Sequence, residues 1–136
     1  MLRNPRFVLL AVSTAFVGAT VGVERSVLAL LGAERFGLAS RTAIASFLIA
    51  FGLTKALSDL VSGPLAARIG PSRVLVAGWG IGAFVPVAIL AAGSWGWVVA
   101  ANGLLGVSQG LAWSAALVMQ IDIAGERRKG FAAGVN

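Results

Sequence analysis

The sequence contains no cysteine and no histidine. Disulfide bridges, zinc sites of the usual kind and histidine acid–base chemistry are therefore excluded. Charge is scarce as well: Asp, Glu, Lys and Arg make up 12% of the 136 residues, where an ordinary soluble domain carries about 25%. A chain so poor in charge does not cover a water-facing surface. With 58% hydrophobic residues and a mean hydropathy of +0.91, lipid is its natural solvent. Also missing are any nucleophile–base arrangement, catalytic carboxylate pair or phosphate loop. The run Gly78-Trp79-Gly80-Ile81-Gly82 lacks the strand–turn–helix setting that a nucleotide loop requires. No enzyme activity, metal or cofactor is expected.

What is present is a set of long apolar runs. A spanning helix needs about 20 mainly apolar residues at 1.5 Å rise each. Four stretches qualify, at about 7–31, 42–62, 74–92 and 97–121, and 130–136 reads as the start of a fifth helix. Every connection is short, so residues 1–136 form a single all-α domain, a polytopic transmembrane bundle of four spans. A cleavable signal peptide is the rival reading of the first run, since Arg3 and Arg6 resemble its basic head. The run is longer than a signal's apolar core, and three more spans follow.

The net charge of +6 collects at the ends of these spans. Such placement orients helices in a bilayer and gives no reason to expect a nucleic-acid partner. Arg3 and Arg6 precede the first span, Arg68 and Arg73 lie between the second and third, and Arg127, Arg128 and Lys129 follow the fourth. The opposite connections hold Arg35 and Arg41 with Glu34, and then no charge at all. The positive-inside rule puts the amino terminus, residues 63–73 and residues 122–129 in the cytoplasm, with Trp95 and Trp97 at the far interface. The protein is then an integral, multi-pass protein of the cell (inner or plasma) membrane, with the lipid bilayer as its first partner.

Glycine, 18 residues in all, recurs at four-residue spacing as Gly18 and Gly22, Gly78 and Gly82, and Gly106 and Gly110. Helices in lipid gain little from hydrophobicity and associate through small residues that let backbones approach. Such faces also suit helices that rock against each other.

Charges within a span are costly and normally face a partner or a cavity. Lys55 and Asp59 lie four apart and share one helix face, so they either neutralise each other or join a charge network closing the cytoplasmic side. Glu24 and Arg25 are adjacent and diverge by about 100° around the helix, so at least one faces other helices. They mark either a wet helix end or a pair facing substrate or ion. Asn102 and Gln109 are two turns apart on one face, and either bond between helices or line a cavity.

Residues 63–73 read as a tight basic hairpin. The pattern Gly63-x-Leu65-Ala66-x-Arg68-x-Gly70-x-x-Arg73, between a second and a third span, resembles the signature loop of the major facilitator superfamily. The stretch Glu126-Arg127-Arg128-Lys129-Gly130 is similar to that family's junction between fourth and fifth helices. The resemblance covers essentially the whole chain. It departs at Ala67, where the family has an acid, and at Asn102, where proton-driven members often carry a basic residue.

The resemblance implies the first part of a six-helix half, and so a fragment of a protein of about twelve spans. It implies a secondary transporter that moves a small solute, its identity open, by alternating access. The missing transporter helices would be its partners. Gly63, Arg68, Gly70 and Arg73 would form the cytoplasmic gate loop, with Asp59, Asp122, Arg127 and Arg128 as a candidate gate charge network. Glu24, Arg25, Lys55, Asn102 and Gln109 are the candidate cavity-lining residues. Two other functions remain open. One is a complete four-span homodimeric transporter resembling small multidrug resistance proteins, and the other a membrane subunit or scaffold that transports nothing.

Overall fold

The computed structural model describes residues 4–135. Helix α1 spans Pro5–Glu34, α2 Arg41–Ile69, α3 Pro71–Leu90 and α4 Trp95–Ala124; a 3₁₀ turn at Glu126–Arg128 leads into α5, Lys129–Val135. The first four are each long and apolar enough to cross a membrane. At 1.5 Å per residue, the 30 residues of α1 and of α4 reach about 45 Å, well past a 30 Å hydrocarbon core. Side-chain caps open both helices: Asn4 accepts from the Arg6 N–H at 3.0 Å, and Ser94 from the Trp97 N–H at 3.4 Å.

The bundle is built around α4. Of its most apolar window 56% is buried, against 22% for α1 and 17% each for α2 and α3. Its neighbours meet it through the small residues expected to permit close approach. A Cβ on Gly106 would collide with the Thr54 hydroxyl and the Phe51 carbonyl, and one on Gly110 would lie 2.8 Å from the Lys55 carbonyl. A Cβ on Gly78 would come within 2.8 Å of the Ala112 backbone nitrogen. The third pair is different. Nothing lies within 4 Å of a Cβ on Gly18 or Gly22, because both sit off the buried stripe of α1.

Helices α2 and α4 run parallel in constant register. Ser46 receives the Trp95 indole N–H at 2.9 Å, the Thr54 hydroxyl reaches the Gly103 carbonyl at 2.8 Å, and Ser62 makes a longer contact with the Leu111 carbonyl at 3.5 Å. Each pair is 49 residues apart in sequence. The contacts fall on a row of small residues at four-residue spacing: Ser46, Ala50, Thr54, Ser58, Ser62 and Ala66. Together with the α4 glycines, this row forms the tightest seam in the molecule.

At the end of the bundle that carries the tryptophans, Trp95 fills the corner between helices. It packs beside Gly32, with Phe36 and Phe47 edge-on at 5.9 and 6.1 Å. Leu28, Phe47, Ala92 and Val98 are buried around it with Ile89 of α3 packed against them, so all four long helices meet there. Trp97, by contrast, is exposed and donates to the Ala88 carbonyl at 3.0 Å, as suits an interfacial anchor. At the basic end, Ala66, Val74, Leu111 and Ala115 join α2, α3 and α4 without α1.

The structure corrects the hairpin read at residues 63–73. Helix α2 continues through Gly63 and Pro64 to Ile69, and α3 starts at Pro71, leaving Gly70 as the one non-helical residue between them. Burial of Ser62 and Ala66 against α4 and α3 holds the last turns helical despite the proline. Gly63 is exposed with nothing within 4 Å of its Cβ, so it mediates no close approach among the described residues.

Candidate functional site

Beside the buried Ser108, which donates to the Gly78 carbonyl of α3, two groups of polar side chains lie on different sides of α4. The first lies between α1 and α4. Buried positions on α1 recur at three and four: Phe7, Leu10, Thr14 and Val17, then Leu28. Val21 and Glu24 continue that spacing and are half-buried, whereas Arg25 is exposed. The helix therefore turns Glu24 inward and Arg25 outward, which separates two residues that the sequence left as a pair.

Asn102 and Gln109 are both buried on α4, as their seven-residue spacing suggests. Gln109 reaches across to α1 with its side-chain N–H 3.4 Å from the Val17 carbonyl. Asn102 sits beside the Glu24 carboxyl. Yet Glu24 Oε1 and Asn102 Nδ2 are both buried with no hydrogen-bond partner. Gln120, which the sequence reading overlooked, is fully buried with both amide atoms unpartnered. At 100° per residue it lies on the same side of α4 as Asn102 and Gln109. Its signal was there, as a third amide eleven residues further on.

The second group lies between α2 and α4. Lys55 Nζ pairs with Asp59 Oδ2 at 2.7 Å, and Ser114 donates to Asp59 Oδ1 at 2.8 Å. Lys55 also lies 5.8 Å from the centre of the Trp113 ring, within cation–π range. This is the one ion pair among the described residues. Both carboxylate oxygens of Asp59 are thus engaged from two helices.

The other candidate gate residues lie apart from it. Arg68, Arg73, Asp122, Arg127 and Arg128 are all exposed at the basic end. Asp59 is ten residues before Ile69, about 15 Å along the helix, which keeps it out of reach of that cluster. The helical course of residues 63–69 is the reason: Arg68 is held on α2 and Arg73 in the first turn of α3, rather than on a pliable loop. Gly70 between them has φ 91° and ψ 143°, a conformation that side chains resist. Gly70→Ala is expected to cost about 1–3 kcal/mol, read as a lowered unfolding midpoint in mild detergent; an unchanged midpoint would mean that the joint relaxes.

A cavity of about 750 Å³ opens between α1, α3 and α4. Its walls are almost wholly apolar, with Phe16, Trp79 and Pro86 among them, and Glu24 is their single ionisable residue. Gln109, Ser108 and Thr20 add polar atoms. Arg25, Lys55 and Asn102, expected at a cavity, are not part of its wall. No cluster of metal-ligating side chains occurs among the described residues.

Four membrane-length helices on a glycine-lined hub, with polar groups held inside, define an integral multi-pass membrane protein. The family model of the Major Facilitator Superfamily matches residues 6–136, and the chain belongs to that family of membrane transporters. No curated protein and no solved structure matches the chain.

Proposed function

We propose that this chain forms part of a secondary active transporter that moves a small solute across the cell membrane by alternating access. The family match over residues 6–136 carries the reading. Support comes from the line of Glu24, Asn102 and Gln109 between α1 and α4, since polar side chains within a span are costly unless they serve a pathway. Further helices would complete the unit. They would cover the apolar face of α1, where Leu9, Phe16 and Val23 are more than 60% exposed. In this reading Lys55, Asp59 and Ser114 form a latch within the membrane, and Arg68, Arg73, Asp122, Arg127 and Arg128 a separate basic rim at the cytoplasmic surface.

Transport is tested in proteoliposomes under an imposed proton or sodium gradient, with a panel of radiolabelled sugars, carboxylates and organic cations. Accumulation of at least one solute against its own gradient is expected. Downhill leak alone, or no flux, with the completing helices present in the same membrane refutes active transport.

Orientation is tested through the absence of cysteine, which makes any introduced thiol unique. In intact cells, Gly93→Cys is expected to react with a membrane-impermeant maleimide, and Ser72→Cys only after permeabilisation. The reverse pattern would invert the topology.

A further inference from the structure

We propose that Arg35 and the Ala92 carbonyl form a releasable tie that holds the ends of α1 and α3 together beside the tryptophans. The tie itself stands on the geometry of this chain. Its part in moving a solute rests on the transporter reading.

The need for a tie comes from the packing. Helices α1 and α3 each lean on α4, and the cavity separates them over much of their length. At the tryptophan end, Leu28 of α1 and Ile89 of α3 share one apolar cluster. Apolar contact has no direction, so it keeps the helices near without fixing how they sit. The connections that follow them, residues 35–40 and 91–94, leave both ends room to shift. A directional bond is required to fix them.

The acceptor stands ready for one. Ala92 lies just past the end of α3, where backbone carbonyls have no helical partner. Its neighbours are served: Val87 accepts from the Ala91 N–H at 3.0 Å, Ala88 from the Trp97 indole at 3.0 Å and Ile89 from the Ala92 N–H at 3.1 Å. Ala92 is fully buried, so water does not reach its carbonyl. The guanidinium of Arg35 does, donating from Nη2 at 3.1 Å. A cation is also what the negative end of a helix favours.

The donor is held from two sides. Arg35 closes α1, with its backbone N–H on the Leu31 carbonyl at 3.0 Å, so its backbone moves with that helix. Its guanidinium lies 5.5 Å from the centre of the Phe36 ring, and Phe36 meets Trp95 edge-on at 5.9 Å. This stack aims the planar fork, which a lysine does not reproduce. No carboxylate pairs with Arg35 among the described residues. The residue is nonetheless exposed, so a released guanidinium finds water at small cost. That makes the bond a tie that opens rather than a permanent brace.

Spin labels measure it, since a chain without cysteine takes them only where thiols are introduced. Leu30→Cys with Val87→Cys reports the tryptophan ends of α1 and α3, and Val8→Cys with Val76→Cys their basic ends; all four positions are exposed. In phosphatidylcholine nanodiscs, Arg35→Ala is expected to at least double the width of the first distance distribution and to leave the second as it was. Arg35→Lys keeps the charge and a donor but loses the stack, and is expected to fall between. Arg41→Ala removes the same charge from the exposed start of α2 and is expected to change neither.

An unchanged first distribution in Arg35→Ala overturns the proposal. So does equal broadening of both pairs, because a tie acts at one end. A broadened first pair in a protein that drives no transport with the completing helices present keeps the tie and removes the transporter reading. Gradient-driven transport with an unbroadened first pair does the opposite.

Discussion

Gly106→Val is expected to break the bundle. A side chain at that position has no room, because its Cβ would meet the Thr54 hydroxyl and the Phe51 carbonyl and lie 3.0 Å from the Lys55 backbone nitrogen. Two of those three obstacles are backbone, which no rotamer change removes. Overpacking a well-filled interior costs about 1–3 kcal/mol and more where the backbone must move. Gly106 lies at the upper end, at about 3 kcal/mol or beyond. Separating α2 from α4 would also strain the contacts of Thr54 with Gly103 and of Ser62 with Leu111, since all follow one register. Size-exclusion profiles and thermal unfolding in mild detergent should show an aggregated or much less stable protein. Gly18→Val and Gly22→Val share the four-residue spacing but have open space at Cβ. They are expected to change stability by less than about 1 kcal/mol in this chain. Equal damage from both pairs would show that glycine spacing matters through helix propensity rather than through the seam.

Asp59→Ala is expected to be the most damaging removal of a charge. It strands Lys55, whose ammonium loses its partner at 2.7 Å, and leaves the Ser114 hydroxyl without its acceptor. On insertion scales an unpaired charge at mid-span costs about 2.5–3.5 kcal/mol. The pair is about a third exposed, and snorkelling relieves part of that, so a loss of about 2 kcal/mol is expected from chemical unfolding. The double variant Lys55→Met with Asp59→Leu should regain most of the stability, since apolar replacement of a buried ion pair is often neutral. Transport separates the two readings of the pair. A stable double variant that transports at the wild-type rate makes it mutual neutralisation only. A stable double variant whose transport falls at least tenfold makes it part of the gate.

The architecture was largely legible in the chain itself. Each apolar run is long enough to count and ends in its own punctuation: Asn4-Pro5, Gly70-Pro71, Ser94 as a cap, and Gly125 at φ 74°. Two of three glycine pairs mark real seams, because spacing alone reveals a smooth face. It does not reveal whether another helix lies against that face, and at Gly18 and Gly22 none does. The course of α2 was misread at Gly63-Pro64. Local rules favour a break there; contact of Ser62 and Ala66 with the neighbouring helices overrides them, and nothing within the segment announces such contact.

The site was legible in part. The i,i+4 pairing of Lys55 with Asp59 follows from helix geometry alone. The inward turn of Glu24 did not follow, because α1 is apolar on nearly every side and its buried three-and-four stripe from Phe7 to Leu28 shows only in the fold. The role of Ser114 did not, because its partner lies on another helix. Nor did the small-residue row of α2: serine, threonine and alanine do the spacing there that glycine does on α4, and a search for glycine alone passes over them.

Gly70 has a mechanical consequence. With one residue between the end of α2 and the start of α3, the two helices have no slack at that end. Their termini stay within two Cα steps, about 7.6 Å, whatever the bundle does. The opposite ends are linked to α1 and α4 by longer segments, 35–40 and 91–94, which tolerate displacement. A tilt of α3 relative to α2 therefore pivots at Gly70 and grows along the helix, reaching its largest amplitude beside Trp97. Any movement at that far end would turn on a hinge one residue long.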